Sequence, residues 1–148
     1  MEIPAQFNKF FLTTFTILSA VAFFLSAITH VAALLGKPGP LGDRVWIMYL
    51  GILFVVIPAV FVSAGLTAGA PQKRTLMTAL RCPTWTKYGI YALFAYASVN
   101  LILGFSFPQT PQGPISPIFV RVFSPLWMVL YAVSLAVFYS ASRPQPTS

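Results

Sequence analysis

Four long apolar segments separated by short polar links dominate the pattern of the chain. They cover residues 10–35, 45–69, 88–107 and 118–141. A helix rises 1.5 Å per residue, so about 20 residues cross the hydrocarbon core of a bilayer, which is about 30 Å thick. Each segment reaches that length, and the pattern therefore predicts four transmembrane helices.

The links between the segments are predicted to be turns and extended chain. Residues 36–44 contain three glycines and two prolines, which favour a tight return of the chain. Residues 108–117 contain four prolines and no charge, which is typical of a polyproline-like segment. The links are too short to form a domain outside the membrane, so we predict a single membrane domain over residues 1–148.

The central link, residues 70–87, divides the chain into two hairpins and carries a concentration of positive charge. It contains no acid and four of the nine basic residues, which we assign to the membrane surface: Lys73, Arg74, Arg81 and Lys87. If this link is cytoplasmic, both termini are too, and that side holds six basic residues against three on the other side: Lys37, Arg44 and Arg121. The positive-inside rule then predicts that both termini are cytoplasmic.

The amino-acid composition excludes a soluble domain and a nucleic-acid-binding protein. Hydrophobic residues make up 57% of the chain and charged residues 7%, whereas about a quarter of the residues of a soluble domain are charged. A net charge of +7 would suggest nucleic-acid binding in a soluble protein. Here the basic residues flank apolar segments, where they bind lipid headgroups. We predict an integral membrane protein, with a bacterial inner (plasma) membrane as the default location and no nucleic-acid partner.

Small and hydroxyl-bearing side chains mark the predicted packing faces. In the first segment one helical face carries a series of residues at steps of three or four: Thr16, Ser19, Phe23, Ser26 and His30. Gly65 and Gly69 have the four-residue spacing that permits close helix contact. We expect these faces to point towards neighbouring helices, in an antiparallel four-helix transmembrane bundle.

Three polar residues of the apolar segments form a hypothetical ligand site in the outer half of the membrane: His30, Asn100 and Arg121. Ionisable and polar groups are costly in hydrocarbon, so each is a functional candidate. Together they would suit a small anionic or carbonyl-bearing ligand such as a quinone headgroup. Each also has a structural alternative. His30 would bond to a hydroxyl or carbonyl of a neighbouring helix, Asn100 would join two helices, and Arg121 would extend to headgroups.

The missing residue types argue against an enzyme. The chain has one histidine, one cysteine and two acids, Glu2 and Asp43, so we predict no metal site, no cofactor and no catalytic residues. A His30–Asp43 dyad is conceivable, but we expect Asp43 to cap the second helix. Cys82 follows Arg81 at the inner surface, where it is either a site of S-palmitoylation or an unmodified interfacial thiol.

Function is predicted only by class. The leading hypothesis is an accessory or assembly subunit, or a small oligomeric membrane protein, in contact with lipid and with a membrane-protein partner or further copies. The alternative is a binder or carrier of a lipid-soluble small molecule, a quinone or a lipid, through the outer-leaflet pocket.

Overall fold

The computed structural model describes residues 5–37, 39–67, 76–106 and 117–143, which form helices and contain no strand. In chain order the elements are α1 (Ala5–Leu34), a 3₁₀ turn (Gly42–Val45), α2 (Trp46–Thr67), α3 (Leu76–Ala79), α4 (Thr84–Ser106) and α5 (Pro117–Ser142). The predicted segments correspond to α1, α2, α4 and α5, with ends that differ by a few residues.

Three helical stretches are long and apolar enough to span a membrane: Lys9–Leu34, Gly42–Leu66 and Phe119–Ser142. This confirms the prediction of an all-helical protein embedded in a membrane. Over its described residues α4 is not among them, and it is the least apolar of the four long helices. The fourth span and the cytoplasmic location of the termini stay predictions.

Helix α5 forms the centre of the protein. It packs against α1, α2 and α4, and 56% of an 18-residue apolar window within it is buried, compared with 22% for the corresponding windows of α1 and α2. Its largest buried side chains are Trp127, Tyr131 and Phe138. The other three long helices therefore surround α5, and most of their remaining surface is apolar and exposed.

Helix α1 runs antiparallel to α5 along most of its length. Near its start, Phe15 packs on Phe138 with ring centroids 5.3 Å apart. Near its end, the Ser26 hydroxyl donates to the Ser124 carbonyl at 3.1 Å. Helix α1 is then closed by a Schellman motif, in which Gly36 adopts a φ of 64° and the amide of Lys37 donates to the Ala32 carbonyl.

Helix α4 also runs antiparallel to α5. Just before its start, the Arg81 amide donates to the Ser140 hydroxyl at 3.0 Å. Near its end, Gly104 lies so close to α5 that a Cβ atom there would overlap both methyl groups of Val122. The absent side chain lets the two backbones approach closely, which is how small residues favour helix contact in membranes.

Helix α2 runs parallel to α5 and is attached to it by a buried hydrogen bond. The Tyr131 hydroxyl, fully buried, donates to the Met48 carbonyl at 2.8 Å. Gly51 provides the space, since a Cβ atom there would lie 2.6 Å from the same hydroxyl. Neither contact was evident from the spacing of polar residues in the sequence.

One local expectation differs from the structure. Asp43 does not cap the second helix: it lies inside the 3₁₀ turn, whose own N-cap is Leu41, with no side-chain cap bond. The chain enters α2 directly from this turn, whose carbonyls precede the first amides of α2 and reduce the need for a side-chain cap. The short helix α3 packs against the core through Leu76 and Met77, and Leu80 just after it is 2% exposed.

The close approach of α4 to α5 gives a test of the fold with a matched control. Gly104→Ala should lower the free energy of unfolding in detergent by about 1–3 kcal/mol, since Val122 has to move. Gly65→Ala in α2 meets no atom within 4 Å and should be neutral or stabilising. Equal effects of the two substitutions would contradict the described α4–α5 packing.

Candidate functional site

His30 is the buried polar side chain that connects three helices. It lies on α1, is 4% exposed, and has its Nδ1 atom 2.8 Å from the Ser124 hydroxyl oxygen of α5. Its Nε2 atom lies 2.6 Å from the Tyr96 hydroxyl oxygen of α4. Both ring nitrogens are therefore engaged, each by a different helix.

Neutral histidine fits this arrangement. One nitrogen of a neutral imidazole donates and the other accepts, and a serine or tyrosine hydroxyl can do either. The His30 ring also meets the Tyr96 ring edge to face, with centroids 5.5 Å apart and an interplanar angle of 83°. The ring is thus fixed in orientation as well as in position.

Ser124 makes two contacts with α1. Its hydroxyl meets His30, and its carbonyl accepts the hydrogen bond from Ser26. Both serine side chains are fully buried. We refer to Ser26, His30, Tyr96 and Ser124 as the His30 cluster. It ties α1 to α5 twice and adds α4 through Tyr96.

The other two residues of the predicted ligand site lie at the periphery of the His30 cluster. Asn100 is half-buried, and its amide donates to the Tyr96 carbonyl of its own helix at 3.0 Å, so this bond does not join two helices. Arg121 is exposed, makes no hydrogen bond or ion pair among the described residues, and lies one turn before Ser124 on α5. Only His30 lies inside the protein.

A serine beside a histidine suggests nucleophilic catalysis, in which the imidazole takes the hydroxyl proton. Two features of the His30 cluster oppose that use. The Ser124 side chain has no exposed surface, so a substrate has no access to it, and the second ring nitrogen meets Tyr96 rather than a carboxylate. Within the described part of the chain no three histidine, cysteine or acidic residues are placed to hold a metal ion. The His30 cluster fits a structural role better than catalysis.

The predicted packing residues occupy different environments. Thr16 and Ser19 donate to carbonyls of α1 itself, at Leu12 and Phe15, and Ser19 is fully buried. Gly65 is exposed, with open space where a Cβ would lie. Gly69 lies outside the described residues.

The predicted surface residues lie at one end of the helices. Arg81 is exposed, Lys87 is half-buried, and Cys82 is a half-buried free thiol. Lys73 and Arg74 fall outside the described residues. Lipidation of Cys82 therefore stays a prediction.

Sequence reasoning missed Tyr96 and Ser124 as partners of His30. The signal was present in α5, where five positions step by three and four residues and all are almost completely buried: Ser124, Trp127, Tyr131, Ser134 and Phe138. The polar face of α1 has the same spacing. Matching these two faces would have paired His30 with a hydroxyl of α5.

An apolar groove lies apart from the His30 cluster, between α1 and α2. Its volume is about 670 Å³, and it is open along the surface of the protein. Its lining is almost entirely apolar and includes Leu18 and Ala22 of α1 and Ile47, Leu50, Phe54 and Ile57 of α2.

Comparison with models of known protein families, with curated proteins and with solved structures finds no match. A functional argument for this chain therefore depends on its own site and surfaces.

Removal of one hydroxyl tests the His30 cluster. Tyr96→Phe should lower the free energy of unfolding in detergent by about 1 kcal/mol, because the hydrogen bond between α4 and α1 is lost. Tyr91→Phe is the matched control, since Tyr91 lies on the same helix and is exposed, as Tyr96 is at 41%, but makes no hydrogen bond among the described residues. A Tyr96→Phe variant as stable as the control would show that the bond to His30 contributes nothing.

Proposed function

We propose that this chain is a non-enzymatic accessory or assembly subunit of a membrane complex. In this proposal all four long helices cross the membrane as an antiparallel bundle, with α4 as the fourth span and both termini cytoplasmic. The default membrane is a bacterial inner membrane. The contact with the partner is made by α4.

The observation that carries the proposal is the mismatch between the polarity of α4 and its exposure. It is the least apolar of the long helices, yet it packs mainly against α5 and leaves most of its surface uncovered. Tyr91, for example, is 54% exposed. Lipid chains offer no hydrogen bond to a tyrosine hydroxyl. A second protein packed against α4 would provide a hydrogen-bond partner for it.

The exposed side of α4 also has the shape that helix partners use. Ala92 and Ala95 are exposed, and Gly89 has no atom within 4 Å of its Cβ direction. Small residues allow a neighbouring backbone to approach closely. Aromatic side chains flank them, including Tyr88 and Phe94, and these supply contact area.

The internal polar groups support a role in binding rather than in chemistry. No buried side-chain nitrogen or oxygen of the described residues lacks a hydrogen-bond partner. The His30 cluster uses the buried histidine to hold α1, α4 and α5 together. The exposed surfaces of the helices are therefore the parts of the protein that would bind a partner.

The proposed orientation is supported by the charges at the two ends of the protein. The helix directions put Lys9, Arg81, Lys87 and Arg143 at one end, and Lys37, Arg44 and Arg121 at the other. The predicted excess at the first end rises further with Lys73 and Arg74 of the central link. That end would be cytoplasmic.

A second candidate function is the binding of a quinone or an anionic lipid near Arg121. It is favoured by the exposed guanidinium, which has no partner among the described residues and belongs to a residue three positions before Ser124 of the His30 cluster. Asn100 reaches the same region through the carbonyl of Tyr96.

Photo-crosslinking tests the partner proposal. A photoreactive amino acid at Tyr91 should capture a second polypeptide in cells, because this position lies on the exposed side of α4. The control position is Phe61 of α2, which is 73% exposed. Mass spectrometry of the product distinguishes another protein from a second copy. Equal or absent crosslinking at Tyr91 relative to Phe61 would contradict the proposal.

Quantification of co-purified lipids tests the second candidate. Arg121→Gln should reduce a specific quinone or anionic lipid several-fold, whereas Lys9→Gln, at the opposite end of α1, should leave it unchanged. Unaltered retention in Arg121→Gln would exclude the site.

A further inference from the structure

The groove between α1 and α2 has the length of one membrane leaflet. Along α2 its lining runs from Ile47 to Ile57, which is about 15 Å at 1.5 Å per residue. The hydrocarbon core is about 30 Å thick, so a single leaflet accounts for about 15 Å. The groove thus covers the depth of a lipid chain rather than the whole bilayer.

The lining of the groove suits a hydrocarbon chain. Its side chains are aliphatic or aromatic, and Gly51 and Val55 form part of it where the Tyr131 bond holds α2 to α5. Helices α1 and α2 contact each other much less than either contacts α5, which leaves the groove open to the side. A chain from the surrounding bilayer has lateral access.

Two cations lie in the link that precedes α2. Arg44 is exposed in the 3₁₀ turn, three residues before Ile47, so it belongs to the end of the protein at which the groove begins. Lys37, also exposed, belongs to the same link. Asp43 is the only acid there, and the link as a whole remains positive.

We propose that the groove is a binding site for a phospholipid with an anionic headgroup. One acyl chain lies in the groove along α2, and the phosphate and headgroup lie against Arg44 with Lys37 nearby. The site is separate from the His30 cluster and from the exposed side of α4, so it does not depend on the proposed partner. The lipid fills the space between α1 and α2 and holds α2 in place.

Native mass spectrometry of the purified full-length protein tests this proposal. The protein is exchanged into detergent with equal amounts of phosphatidylglycerol and phosphatidylcholine. We expect one phosphatidylglycerol bound per chain in preference to phosphatidylcholine. Arg44→Gln should reduce that adduct about fivefold, the effect of one cation beside an anionic lipid. The control Lys9→Gln should not.

A pair of leucine substitutions tests the position of the acyl chain. Leu50→Trp fills the groove and should reduce the retention of both lipids, whereas Leu103→Trp on α4 should not. The two leucines are 54% and 51% exposed, so they tolerate a larger side chain about equally.

Three results would overturn the proposal. Equal retention of phosphatidylglycerol and phosphatidylcholine would show that Arg44 does not bind an anionic headgroup. Equal lipid retention in the Leu50→Trp and Leu103→Trp variants would show that the acyl chain does not lie in the groove. A lipid-free dimer that Leu50→Trp dissociates would show that a second copy of this chain occupies the groove instead.

Discussion

The hydrogen bonds of the His30 side chain are the constraint on which the arrangement of this protein depends. In hydrocarbon a buried imidazole has no water to bond with, so each ring nitrogen must find its partner within the protein. Here the partners come from two different helices, Tyr96 of α4 and Ser124 of α5. The cost of leaving either nitrogen unpaired fixes the rotation and depth of three helices at once. Apolar packing alone specifies the rotation and depth of a helix less strictly, because lipid competes with every apolar contact.

The central position of α5 explains why the protein has so much surface left. Helix α5 makes most of the contacts, and α2 and α4 reach it from separate positions, α2 through the Tyr131 bond and α4 through the Ser140 bond and the Gly104 contact. Two surfaces result, and they differ chemically. The groove between α1 and α2 is almost entirely apolar and suits the proposed lipid. The exposed side of α4 carries tyrosines and small residues and is suited to another protein.

The sequence predicted the positions of the helices, which depend on the length of the apolar segments. It did not predict the contacts between helices, which depend on how the helices pair. Long apolar runs locate α1, α2 and α5 to within a few residues, because the membrane imposes their length. His30 was recognised as costly in hydrocarbon, and a bond to a neighbouring hydroxyl was one of its two interpretations. The identity of that hydroxyl depends on how α1 and α5 are rotated, which no single helix encodes. Asp43 illustrates a different limit: the 3₁₀ turn before α2 is a property of the link geometry, with Gly42 at a φ of 48°.

Nitrogen-15 NMR of the histidine ring tests the central claim most directly. The chain contains one histidine, so a protein purified with a histidine-free tag gives one Nδ1 and one Nε2 resonance in detergent micelles. The account predicts that Ser124→Ala shifts mainly the Nδ1 resonance and Tyr96→Phe mainly the Nε2 resonance, because each hydroxyl bonds a different nitrogen. Resonances that neither substitution moves, at the positions of a solvent-exposed histidine, would contradict it.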